Sequence, residues 1–240
     1  MNEYIAGYEY YDQERIRSLC NDPCVKGVLL GDLFCQKRMF ENGIADLFLL
    51  MNDVLLSSKE VFYQLPLYVT SRNMDEVKAV LNLMERYDKD SYAIVQDFGT
   101  AEWIARDFSR IKLIWGQLGR VRELRYSDDF LHFLKKKSFT GMETFDRKLS
   151  GRLASLGLVP FFSNCKLEYQ TLGRQCYLEY QTGLCNPAVC RKGSCSLKTE
   201  DEDFQMTIDG FVMGKKYRMT PEEDMTAAIR EFSAQIICRY

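Results

Sequence analysis

Five cysteines fall within 31 residues: Cys165, Cys176, Cys185, Cys190 and Cys195. The segment that carries them repeats itself, because CKLEYQT at Cys165 returns as CYLEYQT at Cys176, eleven positions later. Thiolates act as nucleophiles, redox groups and soft metal ligands. The surroundings of the cluster (Arg174, Gln175, Asn186, Arg191, Lys192, Gly193, Ser194) are polar and loop-like. That setting is wrong for cysteines serving as small core residues. Cys20, Cys24 and Cys238, by contrast, read as buried structural thiols.

Spacing separates the metals that such a cluster could hold. Structural zinc favours tight pairs with two to four intervening residues, usually in two knuckles. Here the gaps run Cys176-x8-Cys185-x4-Cys190-x4-Cys195, with no C-x2-C pair. An iron–sulfur cluster takes four thiolates and accepts wider, irregular spacing, so the spacing favours iron–sulfur over zinc. A further donor stands far upstream, where Cys35 closes the stretch GDLFC after an apolar run.

Hydrolytic chemistry finds less support. The single histidine, His132, sits in SDDFLHFLKKK between aromatic residues of a predicted helix. A base there belongs to a helix surface rather than to a nucleophile pair. The carboxylates Asp97 with Glu102, and Glu143 with Asp146, have the chemistry for acid–base work. Helix caps and solvated surface explain most such pairs. The triplet Lys135–Lys137 ends a helix and suits its dipole.

These residues must be positioned by the elements between them. Short β-branched or aromatic runs alternate with helical periodicity from about residue 25 to 162. The pattern predicts strands at 25–30, 65–70, 91–97, 111–117, 142–145 and 158–162, with IAGYEY at 5–10 as a further first strand. Helices are expected at 44–57, from Asn73 as a cap through 86, at 100–108, 127–137 and 147–156. Such alternation implies parallel strands with right-handed crossovers. Neither a G-x-G-x-x-G nor a phosphate-loop lysine motif follows any strand. The expected fold is therefore an α/β, incomplete or irregular TIM-like (β/α) barrel.

One domain spans 1–240: a barrel core at 1–163, a Cys-rich segment at 164–200, and a hairpin and helix at 201–240 that complete the barrel. In the last part TEDED reads as a solvated acidic run, FQMTIDGFVMGKKYRM as a hairpin about Asp209-Gly210, and Pro221 as the start of an amphipathic helix. In such a barrel the functional face is the carboxyl end of the strands. Residues just past each expected strand include Asp32, Cys35, Asn73, Asp97, Gln117, Arg120, Glu143, Asp146, Asn164 and Cys165. Cys35 thus shares a rim with the late cysteines. Asp97, Gln117, Arg120 and Asn73 are the polar groups there that could meet a substrate.

The net charge is −2, from 32 basic and 34 acidic residues. That balance offers no electrostatic case for nucleic acid or an anionic membrane. The most apolar stretch, IADLFLLMNDVLL, is interrupted by Asp46, Asn52 and Asp53 and is far shorter than the roughly 20 residues of a membrane span. The amino-terminal residues carry acids early and lack an apolar core, so a cytoplasmic protein is expected. Disulfides rarely persist in that compartment, which again points the thiols toward metal or redox chemistry.

GVLLGDLFCQKRMF, PLYVTSRN, YAIVQDFGTAEWI and the GRQCYLEYQTGLCNPAVC region resemble the collagenase-like peptidase family, the unassigned-type peptidase group numbered thirty-two. The resemblance runs in order over about residues 25–200, and GDLFCQKR is its most specific piece. That piece is similar to an element of the branch containing the iron–sulfur subunits of oxygen-independent ubiquinone hydroxylation. The resemblance implies a barrel and, in that branch, a 4Fe–4S cluster on four cysteines. Carried over, the ligands are Cys35, Cys176, Cys190 and Cys195, with Cys165 and Cys185 as substitutes created by the duplication. The implied function is oxygen-independent hydroxylation, or a related redox modification, of a quinone precursor or nucleobase, with a paralogous partner subunit. Other members are named for collagenase-like peptidase activity. A non-catalytic scaffold stabilised by zinc or iron–sulfur is the remaining reading.

Overall fold

The computed structural model describes residues 3–7, 13–33, 35–41, 43–67, 69–87, 89–118, 127–168, 171–172, 196–201, 204–209, 212–213 and 216–239. Its first half alternates strands and helices: β1 (Tyr4–Gly7), α1 (Gln13–Asn21), β2 (Val25–Gly31), α2 (Ile44–Leu56), β3 (Glu60–Gln64) and α3 (Met74–Glu85). The alternation continues with β4 (Ser91–Val95), α4 (Phe98–Asp107), β5 (Ile111–Trp115), α5 (Asp128–Lys136), β6 (Gly141–Thr144), α6 (Arg147–Ser155) and β7 (Val159–Ser163). Beyond it come β8 (Cys165–Glu168), β9 (Thr171–Leu172), β10 (Ser196–Asp201), β11 (Phe204–Asp209), β12 (Val212–Met213) and β13 (Lys216–Met219). Helix α7 (Glu222–Phe232) and strand β14 (Gln235–Arg239) end the description.

Strands β1 to β7 pair in chain order, and β14 inserts between β7 and β1, so the sheet closes into an eight-stranded barrel. Every pair in it is parallel. This is a TIM-like barrel ringed by helices. It is closed rather than incomplete. The closing strand was not expected, because the reading of 201–240 as a hairpin and a helix leaves QIICRY without an element of its own.

Two faces of each strand serve two cores. Ile5, Leu29, Phe62, Tyr92, Ile94, Ile114, Phe161 and Ile237 pack together inside the barrel, with Phe62 and Tyr92 stacked at 4.4 Å. The alternate positions, among them Val28, Val61, Tyr63, Ala93, Val95, Leu113 and Trp115, pack outward against Leu47, Val54, Val77, Leu81, Ile104 and Leu131 of the helices. Strand alternation and helical spacing thus meet at one cylindrical interface. At Gly31, φ is +120° and a Cβ would collide with the Gln64 carbonyl oxygen, so only glycine lets β2 end there.

The third barrel strand is displaced from its expected place. It is EVFYQ at Glu60–Gln64, not LPLYVT at 65–70. Pro66 has no N–H for a ladder, and the segment instead follows the rim, where Leu67 N–H donates to the Leu33 carbonyl at 2.9 Å. Helix α1 was also unexpected, since only Ile16 and Leu19 on it are buried. The expected hairpin is present as β11 and β12, paired through Ile208 with Met213 and Asp209 with Val212. Thr199 to Asp201, read as a solvated run, belong to β10 and pair with β11. Backbone pairing can recruit a charged segment whenever a partner strand is adjacent.

Candidate functional site

Because all eight barrel strands are parallel, their carboxyl ends share one mouth, and the loops after β2, β3, β5 and β7 build it. After β2, Asp32 is buried and holds its own loop together. Its Oδ1 accepts the Cys35 N–H at 2.9 Å, and its Oδ2 pairs with the Arg38 guanidinium, both side chains being 1% exposed. Cys35 is buried, and its sulfur accepts the Arg38 N–H at 3.4 Å. A short π-helical turn, Lys37–Glu41, follows directly. Such turns recur at functional sites.

The next loop docks on this corner. Asn73, expected as a helix cap, makes no cap bond. Its amide instead donates to Gln36 Oε1 at 2.9 Å, and the Thr70 hydroxyl donates to the same oxygen at 3.2 Å.

Inside the mouth lies a buried polar layer above the apolar lumen. Glu143 is fully buried. Its Oε1 accepts Gln117 Nε2 at 3.0 Å and its Oε2 accepts the Gln117 backbone N–H at 3.3 Å. Arg239 of β14 forms an ion pair with Glu143. The same guanidinium donates to Ser163 Oγ at 3.1 Å and to Gln64 Oε1 at 2.9 Å. Gln117 Nε2 also reaches the Cys165 carbonyl at 3.1 Å. Asn164 fixes β14 in turn, accepting the Arg239 N–H on its Oδ1 at 3.0 Å.

Of the rim residues read from the sequence, Asn73 and Gln117 are buried in these networks. Asp97 caps α4, its Oδ1 accepting the Thr100 N–H at 2.8 Å. Asp146 caps α6 in the same way through the Lys148 and Leu149 N–H groups. Glu102 pairs with Lys137 on the surface at 3.2 Å. Arg120 lies outside the described residues. The two acidic pairs therefore do not act as pairs; only Glu143 enters the lumen. His132 is on the exposed face of α5.

Cys165, like Cys35, is buried just past the carboxyl end of a barrel strand, two residues beyond β7 as Cys35 is four beyond β2. Cys176, Cys185, Cys190 and Cys195 lie outside the described residues. Among the described residues, no group of three or more histidine, cysteine or carboxylate side chains could hold a metal ion. Cys20, Cys24 and Cys238, expected in the core, are half-buried. Burial still raises the Cys20 thiol above its usual range, which suits an inert structural role.

Sequence reasoning did not single out Gln64, Gln96, Ser163, Arg38 or Arg239. Counting alternate positions outward from the luminal Phe62, Ile94, Phe161 and Ile237 would have found four of them. Apart from this mouth, a groove of about 430 Å³ on the outer wall lies between α4 and α5, lined by Phe98, Phe133, Leu113 and Phe139. Leu113 and Phe139 belong to the helix-facing core, so the groove lies outside the lumen.

Fold and site together define a closed parallel (β/α) barrel protein with a polar, ion-paired mouth. No protein-family model and no curated protein matches the chain. Among solved structures, the spore cortex-lytic enzyme SleL of Bacillus megaterium QM B1551 aligns with 100% of this chain and 70% of its own, at 8% identity and a TM-score of 0.42. No helix among the described residues is long and apolar enough to cross a membrane.

Proposed function

We propose that the chain is an iron–sulfur protein of the peptidase-like barrel type, serving an oxygen-independent hydroxylation, or a related redox modification, of a quinone precursor or nucleobase. The observation that carries this reading is the setting of Cys35. Its sulfur is buried at the barrel mouth and accepts a backbone N–H, and its own N–H is held by Asp32. Hydrogen bonds of that kind to ligand sulfurs tune iron–sulfur clusters. The late cysteine segment leaves β7 on the same rim, beginning at Cys165. Of the candidate ligands, Cys35 and Cys165 are among the described residues, and both are buried thiols, the donor type that iron–sulfur clusters take.

Cys35, Cys176, Cys190 and Cys195 would hold the cluster, with Cys165 and Cys185 as substitutes. When bound, a 4Fe–4S cluster supplies one-electron transfer. The chain's own residues orient the partners. Asp32 and Arg38 fix the early loop, while Gln117, Glu143 and Arg239 set rigid dipoles against whatever enters the mouth. A paralogous subunit fits this reading as the second half of an electron path.

Anaerobic purification with iron and sulfide analysis tests it. The expected result is a brown protein with about four irons per chain, iron lost in Cys35→Ala and retained in Cys20→Ala, with both variants folded by circular dichroism. A colourless protein carrying zinc would make the late segment a structural scaffold. Gelatin cleavage in metal-free buffer, unaffected by Cys35→Ala, would make the chain a peptidase. Either result overturns the proposal.

A further inference from the structure

We infer that the barrel mouth binds a small uncharged molecule by its carbonyl oxygen, with the Gln96 amide as donor. Gln96 follows β4 and is buried. Counting from the luminal Tyr92 and Ile94, it is the next inward position. Gly116 confirms the direction. It stands two residues past luminal Ile114, and a Cβ built on it would collide with the Gln96 amide. The amide therefore occupies luminal space that a side chain at 116 would fill.

Its orientation is fixed by the backbone. Gln96 Oε1 accepts the Leu118 N–H at 3.1 Å, which only the oxygen end of the amide can do. Nε2 is consequently the free end, and it is buried without a hydrogen-bond partner among the described residues. Burying a donor unpaired is costly unless a ligand or water completes it.

The same turn holds the neighbouring acid. Leu118 N–H binds Gln96, and Gln117 N–H, one residue earlier, binds Glu143 at 3.3 Å. The amide that carries the unpaired donor is thus held by the N–H next to the one that binds a carboxylate already neutralised by Arg239. A ligand carboxylate would meet Glu143 with the nearby cation already committed to it, and a ligand cation would meet Arg239. An uncharged acceptor, the oxygen of an amide or ketone, meets neither penalty. This inference needs the barrel only and stands apart from the iron–sulfur reading.

Acetamide and acetate serve as matched probes, titrated into the isotope-labelled full chain while the Gln96 side-chain NH2 resonance is followed. Acetamide should shift it saturably, and acetate should bind about tenfold more weakly, a gap of about 1.4 kcal/mol. Gln96→Glu keeps the oxygen that accepts from Leu118 but replaces the donor with an acceptor. Gly116→Ala displaces the amide. Followed by the remaining amide signals of the mouth, both variants should lose acetamide binding, whereas His132→Ala on the exposed face of α5 should not.

The absence of any saturable response to acetamide would leave Nε2 to a water and overturn the inference. So would equal binding of acetate, or acetamide binding retained in both variants. Should either variant fail to melt cooperatively, the wild-type comparison of the two probes decides alone. Iron content measured on the same preparation reports separately on the proposed cluster.

Discussion

Arg239, in the last strand, forms an ion pair with Glu143 of β6 inside the barrel mouth, across 96 positions of sequence. The guanidinium side chain is 12% exposed and the carboxylate 0%. Closing the barrel with β14 and neutralising its buried acid are therefore one structural event. Glu143 is fully buried from bulk solvent, so any loosening of β14 strands a carboxylate in the lumen.

Removing one member should expose that dependence. Arg239→Leu is expected to cost about 3–5 kcal/mol, because it leaves a buried charge uncompensated. The double variant Glu143→Gln with Arg239→Leu should recover part of the loss. Urea unfolding of the two single variants and the double closes a mutant cycle. Strictly additive losses would show that the pair is not coupled.

Asp32 should govern how accessible Cys35 is. It accepts the Cys35 N–H and pairs with the Arg38 guanidinium in a fully buried corner. Asp32→Ala is expected to destabilise by about 3 kcal/mol or more and to open the loop. Asp32→Asn should keep the contact to Cys35 while weakening the one to Arg38. Alkylation by iodoacetamide, read by peptide mass at Cys35, should accelerate strongly in the first variant and modestly in the second. Equal rates in all three proteins would mean that other contacts bury the thiol.

The barrel was legible because each strand carried its own apolar run and each helix its own 3.6-residue spacing, as Val77, Val80, Leu81 and Met84 on α3 illustrate. Those signals are local. What escaped depended on partners far along the chain. Nothing in QIICRY announces a barrel strand until β1 and β7 stand on either side of it. LPLYVT reads as a strand from its aromatic and β-branched residues, yet EVFYQ fits between β2 and β4, and Pro66 excludes the alternative. The mouth was half legible. Rim residues such as Gln117 and Glu143 follow from strand ends, whereas Gln96 and Arg239 become luminal only once the closed register sets which alternate positions point inward.

At the opposite end of the lumen, Glu60 ties stability to pH. It starts β3 at an inward position and its side chain is 20% exposed, with Oε1 3.2 Å from Lys26 Nζ. Its other oxygen is buried with no hydrogen-bond partner among the described residues. Burial is the largest influence on its carboxyl and raises it above the usual range, while Lys26 opposes with a smaller effect. A carboxyl raised in the folded state binds its proton more tightly there than in the unfolded chain. The stability this contributes is fully present below the unfolded-state value of about 4.3 and is lost as pH rises through the higher folded-state value. Glu60→Gln removes the titration while keeping an oxygen for Lys26. The variant should be more stable than the parent at neutral pH and should lose the parent's decline between mildly acidic and neutral solution. Urea midpoints of both proteins across that range decide the matter. A Glu60→Gln protein that is weaker at neutral pH, with the parent's decline intact, would show that the Lys26 ion pair outweighs the burial.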